Sequence, residues 1–267
     1  MKILIIGAGN MGTTYAQSFI NGSIVNPENL FFLERLDQKS EKLKKLSAHP
    51  LQTKPDEYIR GMDLIILSVK PQDFISLGNS LSPFLRKDQM VLSIMAGITI
   101  GTIYKELGTE KIVRAMPNLP AQVGQGMTVF TTSDGVSKVE IFAIQNLLNT
   151  TGKTLYTAEE SLIDASTAVS GSGPAFVYYF MNSMMSAARN MGFTESESQM
   201  LVRQTFLGAI NLLNRNTLHC QEWIQRVSSK GGTTEAAMAF FAQNHVQELI
   251  ESGLEVARKR AEELSAG

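Results

Sequence analysis

Lys2-Ile3-Leu4-Ile5-Ile6-Gly7-Ala8-Gly9-Asn10-Met11-Gly12 begins the chain one residue in. The unbroken apolar run 3–6 reads as a strand buried on both faces, the pattern of a parallel sheet covered by helices. Gly7-x-Gly9-x-x-Gly12 follows at once, and a helical stretch over about 11–21 comes next. The first glycine permits a tight turn, the second lets a pyrophosphate approach the backbone, and the third lets the helix lie close on the strand. Glycine-rich loops are common. A strand before this one and a helix after it make it a dinucleotide-binding signature.

Working outward, a second apolar run at 30–33 ends at Glu34, about where this motif expects an acidic residue for the adenosine ribose. Arg35 stands beside it. Glu34 would accept hydrogen bonds from a free 2′-hydroxyl and repel a 2′-phosphate, whereas Arg35 could pair with that phosphate. On the residues alone, NAD and NADP both stay open, and an ordinary charged pair at a strand end would look the same.

Short apolar runs recur at 63–69, 90–94, 111–116, 127–131 and 152–156, separated by helical patterns. Such alternation predicts a mostly parallel sheet covered by helices. The pattern changes near Ala158. Strand signals stop, and helix punctuation takes over: Pro174 opens a helix to about Met191 with Gly192 beyond its end, and Thr194-Glu195-Ser196-Glu197 is a capping box for a helix to about Leu213. Further helices are expected over about 218–227, 234–243 and on to about Leu264. The fold class is therefore α/β: an N-terminal Rossmann-type dinucleotide-binding domain over 1–158, then an all-α C-terminal domain over 159–267.

Composition narrows the function classes. At 267 residues the chain can bury a sizeable core in one large or two modest domains. With 24 basic and 25 acidic residues it shows no global charge suited to nucleic acid or an anionic membrane. Cys220 is the single cysteine, so neither a disulfide framework nor a cysteine-based zinc site can form within one chain. His49, His219 and His245 are scattered without metal-ligand spacing, and no metal is expected. No signal peptide is evident before the first strand and no apolar segment is long enough to span a bilayer, which makes a cytoplasmic protein the expectation.

Two segments of the helical half stand out. From Phe176 to Ala188 the helix is apolar nearly all round, with Phe176, Val177, Phe180, Met181, Met184 and Met185. It is either a central core helix or a subunit interface. Five helices can hardly enclose it, and methionine-rich helices adapt well to such surfaces, so the interface is favoured. The second segment is Val227-Ser228-Ser229-Lys230-Gly231-Gly232-Thr233-Thr234, which opens a helix. First-turn N–H groups lack intrahelical partners and the helix dipole favours negative charge there, so this turn suits a small anion. A threonine cap after a glycine turn is the plainer alternative.

Taken together, Gly7 to Gly12, Ser68-Val69-Lys70-Pro71-Gln72, Arg114-Ala115-Met116-Pro117-Asn118, Ser170-Gly171-Ser172-Gly173-Pro174-Ala175 and Ser228 to Thr234 resemble the pyrroline-5-carboxylate reductase family in order and spacing over essentially the whole chain. The Gln204-Thr205…Gly208-Ala209 helix falls between the last two. The resemblance implies a nucleotide-binding half and a helical half that intertwines with a second subunit, giving a homodimer or a higher homo-oligomer of dimers. It implies reduction of the cyclic imine pyrroline-5-carboxylate to L-proline, the last step of proline biosynthesis, with NADP as cofactor and NAD as alternative. Cofactor contacts are implied at Gly7, Ala8, Gly9, Asn10, Met11 and Gly12, at Glu34 and Arg35, at Ser68, Val69, Lys70 and Pro71, and near the nicotinamide at Ala96, Gly97 and Asn118. The plainer reading of Val-Lys-Pro and Met-Pro-Asn is a pair of strand-terminating turns.

For the substrate, the resemblance implies that the Thr234 hydroxyl meets the imine nitrogen, while backbone N–H groups of Gly231, Gly232 and Thr233, helped by Ser229, receive the carboxylate. Three residues depart from the family's usual pattern. Lys230 replaces a proline, Leu119 a common threonine, and Pro55 a common asparagine. Lys230 could attract a carboxylate or point into solvent. Two rivals are a related imine or β-hydroxy acid reductase and a non-catalytic nucleotide-sensing homologue. A hydroxy-acid dehydrogenase of this build would bring a lysine on the helix 174–191, which has none. Retention of the whole Gly-Gly-Thr-Thr turn argues against the sensing homologue.

Overall fold

The computed structural model describes residues 1–34, 40–43 and 45–266. Arg35 lies outside the described residues. One seven-stranded sheet holds β1 (Ile3–Ile6), β2 (Leu30–Leu33), β3 (Leu64–Leu67), β4 (Met90–Ser93), β5 (Lys111–Met116), β6 (Gly126–Thr132) and β7 (Gly152–Tyr156), in the order β2-β1-β3-β4-β5-β6-β7. Every pairing is parallel except β5 with β6. The order reverses direction at β1, whose neighbours β2 and β3 diverge. That is the switch point, beyond whose strand ends sheets of this kind bind their ligands.

Successive β1 side chains point to opposite faces, and both faces are dry. Ile3 and Ile5 pack with Tyr15 and Phe19 of α1 (Asn10–Asn21) and with Ile144 and Leu148 of α5 (Lys138–Asn149). Leu4 and Ile6 join Phe74 and Leu81 of α3 (Phe74–Leu81) and Ile103 and Leu107 of α4 (Ile100–Leu107). Burial on both faces explains why these strands are continuous apolar runs rather than alternating ones. A short α2 (Ser40–Leu43) follows β2.

After β7 no further strand occurs among the described residues. The helices are α6 (Ser161–Ser166), α7 (Gly173–Asn190), α8 (Glu195–Asn214), α9 (Cys220–Val227), α10 (Thr233–Gln243) and α11 (Val246–Ala266), with a single wide π-type turn at Thr167–Gly171. The expected capping box at Thr194 forms, with the Glu197 carboxylate accepting the Thr194 N–H at 2.8 Å. The chain divides into two compact units, Met1–Pro174 with Ala257–Gly267, and Ala175–Val256. Helix α11 therefore starts in the second unit and ends in the first. No helix among the described residues is long and apolar enough to cross a membrane.

Candidate active site

In the first unit the C-terminal ends of β1, β2 and β3 converge on the glycine-rich loop. The Gly7 N–H donates to the Leu33 carbonyl at 3.0 Å, and the Ser68 N–H to the Ile6 carbonyl at 2.8 Å. Each glycine has a distinct reason. Gly7 has φ +89°, and a Cβ there would come within 2.6 Å of the Ser68 carbonyl oxygen. A Cβ on Gly12 would run into the Gly7 carbonyl oxygen. At Gly9 a Cβ would meet nothing within 4 Å. The first and third glycines thus serve the fold, while the second keeps open the side from which a pyrophosphate approaches.

Gly9 caps α1 with no side-chain hydrogen bond, and the first turn of that helix holds no acidic residue. A cleft of about 970 Å³ runs along α1, from Gly9, Asn10 and Thr13 at its start to Asn21 and Gly22 at its end, with Gln122 and Gly124 also lining it. A helix N-terminus without its own anion at such a cleft fits a diphosphate. One charge sits close by: a Glu34 carboxylate oxygen accepts the Ala8 N–H at 2.7 Å. The acid at the end of β2 thus also braces the loop.

The other strand ends hold the remaining residues that the resemblance points to. Ser68, Val69, Lys70 and Pro71 lead from β3 into a 3-10 turn at Pro71–Asp73, with Lys70 exposed. Ala96 and Gly97 form the turn after β4, where Gly97 has φ +75° and lies so close to Leu264 that a Cβ would be 2.8 Å from its carbonyl oxygen. Asn118 has both ends of its amide in use: Nδ2 donates to the Ser170 carbonyl at 3.0 Å, and Oδ1 accepts the Met127 N–H at 2.9 Å. Two of the motifs, 114–118 and 170–175, are therefore tied together by one side chain.

Beneath the Gly97 turn lies a cluster that sequence reasoning missed. The Arg114 guanidinium, 1% exposed, donates to Asp164 Oδ1 at 2.6 Å, Glu160 Oε1 at 3.0 Å and Ser265 Oγ at 3.1 Å. Ser265 Oγ in turn donates to Asp164 at 2.7 Å, and Glu160 accepts the Ile100 N–H at 2.8 Å. One side chain thus joins β5, α6, the start of α4 and the end of α11. The signal was an arginine inside an apolar strand, which requires buried carboxylates.

In the second unit the Ser229–Thr234 stretch forms the entry to α10. Gly232 is the N-cap and makes no side-chain cap, so Thr233 and Thr234 are the first two helical residues and neither caps the helix. Gly231 has φ +72°. The Gly232 N–H donates to the Ser229 carbonyl at 2.9 Å, and the Gly231 N–H to Glu235 Oε2 at 2.6 Å. Lys230 is exposed, while Thr234 is half-buried. Helix α7 buries no residue within the chain, and Val177, Tyr178, Tyr179 and Met184 are all exposed. The core-helix alternative is thereby excluded for the single chain.

A glycine cradle at the switch point of a mostly parallel sheet, followed by a helical unit, defines a dinucleotide-binding protein. Residues 2–97 match a family described as NADP oxidoreductase, coenzyme F420-dependent, and residues 160–264 match one described as pyrroline-5-carboxylate reductase dimerisation. The chain is 34% identical to pyrroline-5-carboxylate reductase 2 of Bacillus subtilis over 98% of its length and 95% of that protein. It superposes on a pyrroline-5-carboxylate reductase of Coxiella burnetii with a TM-score of 0.90 at 30% identity, covering 99% and 98% of the two chains. The Plasmodium falciparum pyrroline carboxylate reductase with NADP bound gives a TM-score of 0.88 at 27% identity over the same shares. This chain belongs to the pyrroline-5-carboxylate reductase family.

Proposed function

We propose that this protein reduces pyrroline-5-carboxylate to L-proline in the cytoplasm, with NADPH as the reductant and NADH as the alternative. The observation that carries this reading is similarity over 98% of this chain and 95% of the Bacillus subtilis protein, a span that takes in both the glycine cradle and the Gly-Gly-Thr-Thr turn. Residues 1–158 supply the nucleotide contacts and residues 159–267 the substrate contacts and the surface for a second copy.

The bound dinucleotide supplies a hydride. The chain supplies placement. In the first unit the Gly7–Gly12 loop and the α1 N-terminus take the diphosphate, Glu34 takes the adenosine ribose, and Ser68 to Pro71, Ala96, Gly97 and Asn118 border the nicotinamide; the resemblance assigns the ribose phosphate to Arg35. In the second unit the N–H groups at the start of α10, with Ser229, take the substrate carboxylate; those of Gly231 and Gly232, to which the resemblance also points, are already engaged by Glu235 and by the Ser229 carbonyl. The Thr234 hydroxyl hydrogen-bonds the ring nitrogen, whose protonation makes the neighbouring carbon electrophilic. Holding two carbons face to face can by itself lower a barrier by several kcal/mol, so no acid–base cluster is needed. Steady-state oxidation of NADPH with and without pyrroline-5-carboxylate tests the reading. Substrate-dependent turnover is the expected result, and its absence would favour a regulatory homologue.

A further inference from the structure

Helices α1 and α10 both present an N-terminus suited to an anion, yet they differ in one respect. The first turn of α1 has no acidic residue, whereas α10 carries Glu235 at its third position. That carboxylate does not reach its own N-cap, as it would in a capping box. It reaches one residue further back, to the Gly231 N–H at 2.6 Å. A bond of this length to an ionised acceptor is of the stronger kind.

We infer that Glu235 is a positioning residue for the substrate carboxylate. By taking the Gly231 N–H it fixes the turn and leaves the N–H groups of Thr233 and Thr234 as the receptor. The inference rests on the functional reading above and narrows it. Of the backbone donors in the turn, Gly231 is engaged by Glu235 and Gly232 by the Ser229 carbonyl at 2.9 Å. Thr233, Thr234 and Glu235, the first three helical residues, have no acceptor for their N–H groups among the described residues, and the first two adjoin the turn that Glu235 fixes. Two adjacent N–H donors match the two oxygens of one carboxylate.

Gly231 needs such a brace. Its φ of +72° is one a glycine leaves at little cost, and nothing lies within 4 Å of where its Cβ would be. Gly232 is packed instead, since a Cβ there would run into Ser229 Oγ. Without the Glu235 bond the turn would be anchored at Gly232 alone, and the direction of the two adjoining donors would spread. The brace also has a cost: its negative charge sits near the anion it serves.

The test compares E235A and E235Q with the wild type. The readouts are KM and kcat for pyrroline-5-carboxylate, product inhibition by L-proline, and KM for NADPH. E235A should raise the substrate KM and the proline inhibition constant together, by about three- to tenfold, with kcat changed less than twofold and the NADPH KM unmoved. E235Q keeps an acceptor for Gly231 and removes the like charge, so it should recover most of that loss. A wild-type substrate KM in E235A would overturn the inference. So would an equal rise in the NADPH KM, which would mark a general structural role. An idle wild-type protein would overturn the functional reading instead. The brace itself would then be read from the Gly231 amide, whose hydrogen exchange must accelerate in E235A; an unchanged rate would refute it.

Discussion

Thr234 is the residue on which the proposed chemistry leans most. A hydrogen bond to a group whose charge changes during reaction is worth about 1.5–3 kcal/mol, so Thr234→Ala should lower kcat/KM roughly ten- to a hundredfold. Thr234→Ser should keep most of the rate. Because Gly232 rather than a threonine is the N-cap, the alanine variant should melt close to the wild type, which separates chemistry from stability in a single calorimetric scan. Arg114 behaves the opposite way. Arg114→Met leaves Asp164 buried without its cation and should destabilise the fold by about 3 kcal/mol, seen as a lower denaturant midpoint. A midpoint as in the wild type would mean the cluster contributes nothing net. The two residues also mark what was legible beforehand. Thr234 sits in a motif whose spacing names it. The partners of Arg114 lie 46, 50 and 151 residues away in sequence, and no local pattern links them. Glu235 was hidden for a different reason: an acid in a helix's first turn is ordinary, and only geometry shows it on Gly231.

At the scale of elements, the continuous apolar runs gave the strands almost to the residue. The runs at 30–33, 111–116 and 152–156 coincide with β2, β5 and β7. Periodicity could not show that β6 runs antiparallel to β5, because a strand buried on both faces reads the same in either direction. Nor did it show the wide turn at Thr167–Gly171, whose residues suit an ordinary helix equally well. Helix α5 offers a pH prediction. Its cap joins Ser137 to Glu140, and the Lys111 ammonium at 2.6 Å, with the Ser137 hydroxyl, holds the Glu140 carboxyl down at about 2. A depressed folded-state value means the contribution is whole above the ordinary glutamate range, near 4.5, and is lost as pH falls from there toward 2. Glu140→Gln should therefore be less stable than the wild type at pH 7, with the difference shrinking across that window. A difference constant with pH, followed by chemical denaturation, would dismiss the effect.

Across the whole molecule, the helical unit has too little of its own surface to cover α7. Val177, Tyr178, Tyr179 and Met184 are exposed in the single chain, in a region matching a dimerisation family. Large apolar patches of this kind are covered by other protein. Light scattering at micromolar concentration should accordingly find a dimer or larger and no active monomer, and Tyr179→Glu should weaken the assembly. A stable, active monomer would refute the interface. The path of α11 has its own consequence. Gly97 meets Leu264, and Arg114 is completed by Ser265, so the nucleotide-binding unit includes a segment made long after its seventh strand. On the ribosome, the sheet emerges first and waits through the synthesis of α6 to α10 and nearly all of α11 before its last hydrogen-bond partner arrives. The half of the molecule translated first is therefore not the half that can finish folding first.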